Sequence, residues 1–175
     1  MKKFLGKKIF NLLKRVIKKK EFIPKIVLAE SITLKIFVNF DENPEEISDK
    51  FLKVIPFDLV KEELSLNRKR VTGFNHEKIM IFELKLKKKK HTSTFLESFK
   101  TKLSNDLKLQ LLNTLEERMD EECNFYIRLN KQELIYHDRY ALTTDGICLH
   151  IRIHVATYPK RRENALLEMS NYLSS

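Results

Sequence analysis

The sequence predicts an α+β fold, a single mixed or antiparallel sheet with helices packed on one face. Three observations carry this. Apolar and polar residues alternate in well-separated stretches such as "SITLKIFVNF" and "ICLHIRIHV". Between them, stretches such as "TFLESFKTKL" repeat apolar residues at helical spacing. Two strand-like stretches, "EELSLNRKRV" and "EKIMIFELKL", are joined through Gly73 as a hairpin would be, so strands and helices do not simply alternate.

The elements follow in order. Residues 2–20 place Leu5, Ile9, Leu12, Leu13 and Val16 on one helical face with lysines around the rest, a basic amphipathic helix. The first strand carries Ile32, Leu34, Ile36, Val38 and Phe40 toward the core. A helix opens at Pro44, with acids in its first turn and Ile47, Phe51 and Val54 or Ile55 inward. After the hairpin, residues 91–103 form a helix with Phe95, Phe99 and Leu103 aligned. Ser104 caps a second helix running to Met119, striped by Leu107, Leu111 or Leu112, and Leu115. "ECNFYIRLN" is a strand with Cys123, Phe125, Ile127 and Leu129 inward. A short helix follows, then a hairpin arm turning at Asp145-Gly146 into a strand with Ile147, Leu149, Ile151, Ile153 and Val155 inward. Pro159 begins a closing helix.

Charge divides the chain of 175 residues. Residues 1–25 hold ten bases and one acid, a balance of +9, whereas the whole chain carries +10. The division expected is a basic helical extension over 1–25 and an α+β domain over 26–175. The extension is too charged to span a bilayer and has no signal-peptidase site. It suits an anionic lipid surface, a nucleic acid, its own domain, or an over-extended gene start. The body is nearly neutral, so polyanion binding there must rest on local clustering. With 3 Gly, a Gly-rich phosphate loop is excluded. Cys123 and Cys148 are too few for a disulfide framework and fit a reducing, cytoplasmic setting.

The late strands carry the first candidate surface. If the two are neighbours, Tyr126, Arg128, His150, Arg152 and His154 share the side opposite the core. Cations beside a stackable ring form a platform for single-stranded nucleic acid, and they are also ordinary on a solvated sheet face. A second candidate is "KKKKHTSTF", in which Lys88, Lys89, Lys90, His91 and Thr92 open a helix whose first N–H groups are free for phosphates. Lys160, Arg161 and Arg162 stand at the start of the closing helix, where cations oppose the macrodipole unless an anion binds. Arg68-Lys69-Arg70 is a third basic cluster. Cys148, His150 and His154 lie too far apart along one strand to close on one metal ion, and no C-x-x-C exists. No cofactor is implied. A small hydrolase using Glu117 or Glu121 with His150 requires those groups to meet in one pocket; nothing in their spacing argues for an enzyme.

Three segments, "KLKKKKHTSTFLESFKTKL", "LEERMDEECNFYIRLNKQEL" and "TTDGICLHIRIHVATYPKRRENAL", resemble the signatures of an archaeal RNA-binding domain family described as a predicted exosome subunit. That family is related in fold to the 5S-rRNA-binding protein of the large ribosomal subunit. The resemblance covers about Ala29 to Leu173. It implies a ribosomal-protein type of α+β fold, RNA as partner with exosome or ribosome components nearby, and no catalysis. Residues 1–25 depart from the family pattern. The expectation is therefore a non-catalytic RNA-binding protein. An interaction protein tethered to an anionic membrane or acidic partner by its N-terminal helix is the alternative.

Overall fold

The computed structural model describes residues 28–72 and 78–175. The expected N-terminal helix and the Gly73 turn lie outside the described residues. Five strands, β1 (Ala29–Val38), β2 (Asn67–Thr72), β3 (Lys78–Leu86), β4 (Asn124–Asn130) and β5 (Cys148–Val155), form one sheet in the order β2-β3-β1-β5-β4. Every neighbouring pair is antiparallel. The sheet is thus antiparallel throughout, the narrower of the two arrangements expected.

Five helices accompany it among the described residues: α1 (Pro44–Leu52), α2 (Lys89–Lys102), α3 (Asn105–Asn113), α4 (Lys131–His137) and α5 (Arg162–Ser174). Local chemistry sets their ends. The Asn43 side chain accepts from the N–H of Glu45 at 3.0 Å, with Pro44 already at a helical φ. Ser104 caps α3 through the Leu107 N–H at 3.2 Å, and Asn130 caps α4 through Glu133 at 3.1 Å. Asp138, left-handed at φ 49°, stops α4.

All five helices bury their apolar stripes against one sheet face. Ile32, Leu34, Ile36, Phe82, Leu84, Phe125, Ile127, Leu149, Ile151 and Ile153 supply that face, and Phe51, Phe95, Phe99, Leu111 and Met169 cover it as one continuous core. Antiparallel sheets with one wet side read as this kind of alternation.

The structure differs from expectation at five places, the first being that the strand expected over "EELSLNRKRV" begins only at Asn67. Phe40 is 74% exposed, because β1 ends at Val38 and Asn39 turns back to the Glu42 carboxylate at 2.8 Å. The helix expected to reach Met119 stops at Asn113. Thr114 Oγ1 donates back to the Gln110 carbonyl at 2.8 Å, and a 3-10 turn (Glu116–Arg118) follows. No hairpin arm precedes β5: residues 138–147 are irregular apart from a single Leu129–Leu142 bridge, and Ile147 is exposed. The closing helix starts at Arg162, three residues after Pro159.

Candidate nucleic-acid interface

The second face of the sheet faces solvent among the described residues, and its register can be written rung by rung. One rung crosses Lys85, Thr33, Arg152 and Tyr126. The next crosses Asn67, Glu83, Lys35, His150 and Arg128. A third carries Lys69, Ile81 and Phe37 toward the β2 side. Pairing of β4 with β5 therefore gathers Tyr126, Arg128, His150, Arg152 and His154 on this face, as expected. It adds Lys35, Lys69 and Lys85, which the sequence reading missed as members of this face. The signal was available: the same alternation that points Ile32, Leu34 and Ile36 inward points Thr33 and Lys35 outward.

Five cations (Lys35, Lys69, Lys85, Arg128 and Arg152) and one carboxylate, Glu83, stand on these rungs, and the three lysines reach that carboxylate. Glu83 is 5% exposed and pairs with Lys35 at 3.0 Å, Lys85 at 3.3 Å and Lys69 at 3.8 Å. Burial alone would raise its pKa, but the hydrogen bonds from Lys35 and Lys85 outweigh that and lower it. One carboxylate cannot neutralise five cations, so the face keeps a net positive charge. The Lys85–Tyr126 rung covers three strand spacings, about 15 Å, enough to meet several successive phosphates.

The aromatic part of the face is pre-set. Tyr126 and His150 stack with ring centroids 5.7 Å apart. Burial, then the like charges of Arg128, Lys35 and Arg152, lower the pKa of His150 and so favour the uncharged ring in this stack. The Tyr126 hydroxyl donates to Asp120 Oδ2 at 2.8 Å, and burial followed by that carboxylate raises its pKa. Asp120 also accepts from the Asn124 backbone at 2.8 Å; such bonds overcome burial and hold the carboxyl below its ordinary range. His154 is committed elsewhere: Nδ1 meets Asn124 Oδ1 at 2.9 Å and Nε2 meets Glu30 at 3.1 Å.

Both basic clusters lie at one end of the sheet, because β3 and β5 run antiparallel to β1 and end beside its start. Within the first, Lys88 and Lys89 are exposed, and Lys90 pairs with Glu62. His91 and Thr92 are each 1% exposed. His91 Nε2 meets Glu62 at 2.8 Å, and Thr92 Oγ1 donates to the Ala29 carbonyl at 3.3 Å. Neither presents a surface to a phosphate in this conformation. Hydrogen bonds from Lys90, then His91, lower the Glu62 pKa to about 2. In the second cluster Lys160 and Arg161 are exposed, while Arg162 donates to the carbonyls of Glu116 at 2.7 Å and Met119 at 3.2 Å. Arg68 lies on the helix-covered side opposite Phe82, pairs with Glu45 at 2.9 Å and covers that ring.

Past the β4 edge, two adjoining cavities of about 530 Å³ and 410 Å³ share Arg118, Thr143 and Thr144, and the second also touches Tyr126 and Arg128. Arg118 Nε donates to Thr114 Oγ1 at 2.7 Å and Nη1 to the Tyr126 carbonyl at 3.4 Å. Burial lowers its pKa; Glu117 opposes this and Arg128 adds to it. His150 and Glu121 line neither cavity, and Glu121 is 90% exposed beside Arg162, so the carboxylates weighed for hydrolysis do not meet His150 in a shared pocket. Among the described residues no cluster of three or more His, Cys, Asp or Glu could hold a metal ion. Both thiols are buried, which raises their pKa values.

Fold and face together define an α+β protein with a cationic, partly aromatic sheet surface. A family model described as RNA binding matches residues 31–155, and the chain belongs to that RNA-binding family. A curated relative, RNA-binding protein PAB1135 of Pyrococcus abyssi (strain GE5 / Orsay), is 23% identical over 145 residues, covering 83% of this chain and 94% of its own. Two solved structures share the fold. Protein AF2318 from Archaeglobus fulgidus aligns with a TM-score of 0.73 at 22% identity, over 82% of this chain and 99% of its own. Mth689, a DUF54 protein from Methanothermobacter thermautotrophicus, aligns with a TM-score of 0.68 at 23% identity, over 83% and 98%.

Proposed function

We propose that this is a non-catalytic RNA-binding protein that holds RNA against the open face of its sheet. The observation that carries the reading is the excess of cations on that face: five Lys and Arg side chains and one buried carboxylate on its three rungs. Family membership supports RNA as the polyanion. In this reading Lys35, Lys85, Arg128 and Arg152 contact phosphates, and the Tyr126–His150 pair stacks on or hydrogen-bonds a base. Lys88, Lys89, Lys160 and Arg161 extend the phosphate track past the end of the sheet. The setting we propose is cytoplasmic RNA processing beside an exosome, or ribosomal RNA, with kinship to the 5S-rRNA-binding fold. No helix among the described residues is long and apolar enough to cross a membrane.

The test is RNA binding by the full chain against salt, beside a Lys85→Ala/Arg152→Ala variant and a Lys88→Ala/Lys89→Ala variant. Each lost contact to a single strand reduces the log–log salt slope by about 0.7. Unchanged affinity and slope in the first variant, with binding abolished by removal of residues 1–25 alone, would transfer the function to the N-terminal segment.

A further inference from the structure

We infer that the cleft past the β4 edge holds one unpaired nucleotide, its phosphate seated between Arg118 and Arg128. This rests on the RNA-binding reading and specifies the strandedness of the RNA at this end of the face.

The cleft is continuous with the face, since Tyr126 and Arg128 belong to both. Two guanidiniums flank it, close enough for Arg128 to depress the pKa of Arg118. Neither makes an ion pair with a described carboxylate. Glu117 and Asp145 stand on the rim, but neither closes on an arginine. Holding like charges together, one of them half-buried, is costly without a counter-anion. Arg118 is also incompletely used. Its Nε and Nη1 serve Thr114 and Tyr126, and Nη2 has no protein acceptor among the described residues. A guanidinium fixed by two bonds with its outer donors free is arranged for a phosphate, which it can grip through two oxygens.

The remaining walls suit a base and its sugar. Gln110 and Asn113 bring amide donors and acceptors, and Thr144 brings a free hydroxyl. The larger cavity, about 530 Å³, lies within the range of small-ligand pockets, roughly 300–1,000 Å³. A paired base inside a duplex cannot enter a recess beyond the sheet edge, whereas a base splayed from a single strand can.

The experiment measures binding of hexauridylate, hexaadenylate and a short RNA duplex to the full chain. Arg118→Gln removes the fork, and Thr144→Glu places a carboxylate in the cleft from an exposed position; thermal melting checks that both variants fold. Both are expected to weaken the single strands about tenfold, the scale of one charge-assisted contact, and to leave the duplex unchanged. If Arg118→Gln unfolds, Thr144→Glu decides. Unchanged single-strand binding in the cleft variants, while Lys85→Ala/Arg152→Ala weakens it, would overturn the inference and keep the RNA reading. Equal weakening of duplex and single strands would overturn the claim of an unpaired nucleotide. Absence of any RNA binding by the parent would remove both.

Discussion

Replacing Glu83 with Gln is expected to make the protein less stable and a better RNA binder at once. The carboxylate is 5% exposed and answers three lysines, which are 39%, 50% and 60% exposed. Because the lysines stay wet, each pair belongs to the upper part of the 0.2–1 kcal/mol range of surface ion pairs, about 1–3 kcal/mol for the set. Gln retains an acceptor, so a loss of about 1–2 kcal/mol is expected at neutral pH. For a domain of this size that is a fall in Tm of roughly 2–8 °C. The Glu83 pKa is lowered on folding, so its contribution is complete above the ordinary glutamate value of 4.5 and is lost as pH falls through the folded-state value. The variant should therefore show a shallower acid limb than the parent. Urea unfolding across the acid range measures both quantities. RNA titration of the folded variant should show higher affinity, since three lysines lose their internal counter-ion. Equal stability and equal acid limbs would refute the electrostatic argument. Weaker RNA binding by the folded variant would mean that Glu83 holds the lysines in their binding geometry.

Other expectations rest on separate contacts. Lys131 is 3% exposed, donates to the Phe37 carbonyl at 2.9 Å and pairs with Glu42. Lys131→Met should cost about 3 kcal/mol in urea unfolding, because it strands a carboxylate with little access to water. Phe99 is 1% exposed and packs between Phe95 and Tyr140, with ring centroids at 5.7 Å and 5.5 Å. Phe99→Ala should cost about 3–5 kcal/mol by the same assay. In a spectrophotometric alkaline titration, Tyr140, which burial raises to about 12, and Tyr172, raised further by burial, should ionise only above the ordinary tyrosine range. Their ionisation at ordinary alkaline pH in the folded protein would show that the phenols are not buried.

The sheet and most helices were legible because burial is periodic. Alternation in β1, β4 and β5 needed no partner to be read, and the caps Asn43 and Ser104 act within their own turn. What failed depends on contacts distant in sequence or on where an element stops. The lysine run read as one cluster, yet α2 begins at Lys89, which puts His91 and Thr92 on the stripe of Phe95, Leu96 and Phe99. Their burial also needs Glu62, a partner 29 residues from His91. Phe40 continued the alternation of β1 on paper, but Asn39 and Glu42 close a turn first. The Arg118 cleft was invisible, since it forms where α3 ends early and the irregular 143–145 segment passes the β4 edge.

Among the described residues, the order β2-β3-β1-β5-β4 leaves β2 with a row of backbone donors and acceptors that no strand pairs, and all six of its residues are exposed. Such a border invites a strand from a second molecule. Arg68, Lys69 and Arg70 stand along it, and two like-charged borders repel before they can align. These border cations thus act as a guard against self-association, and the guard fails when its charge is cancelled. Mixtures near charge equivalence with a polyanion should turn cloudy, then clear as excess polyanion restores repulsion with the opposite sign.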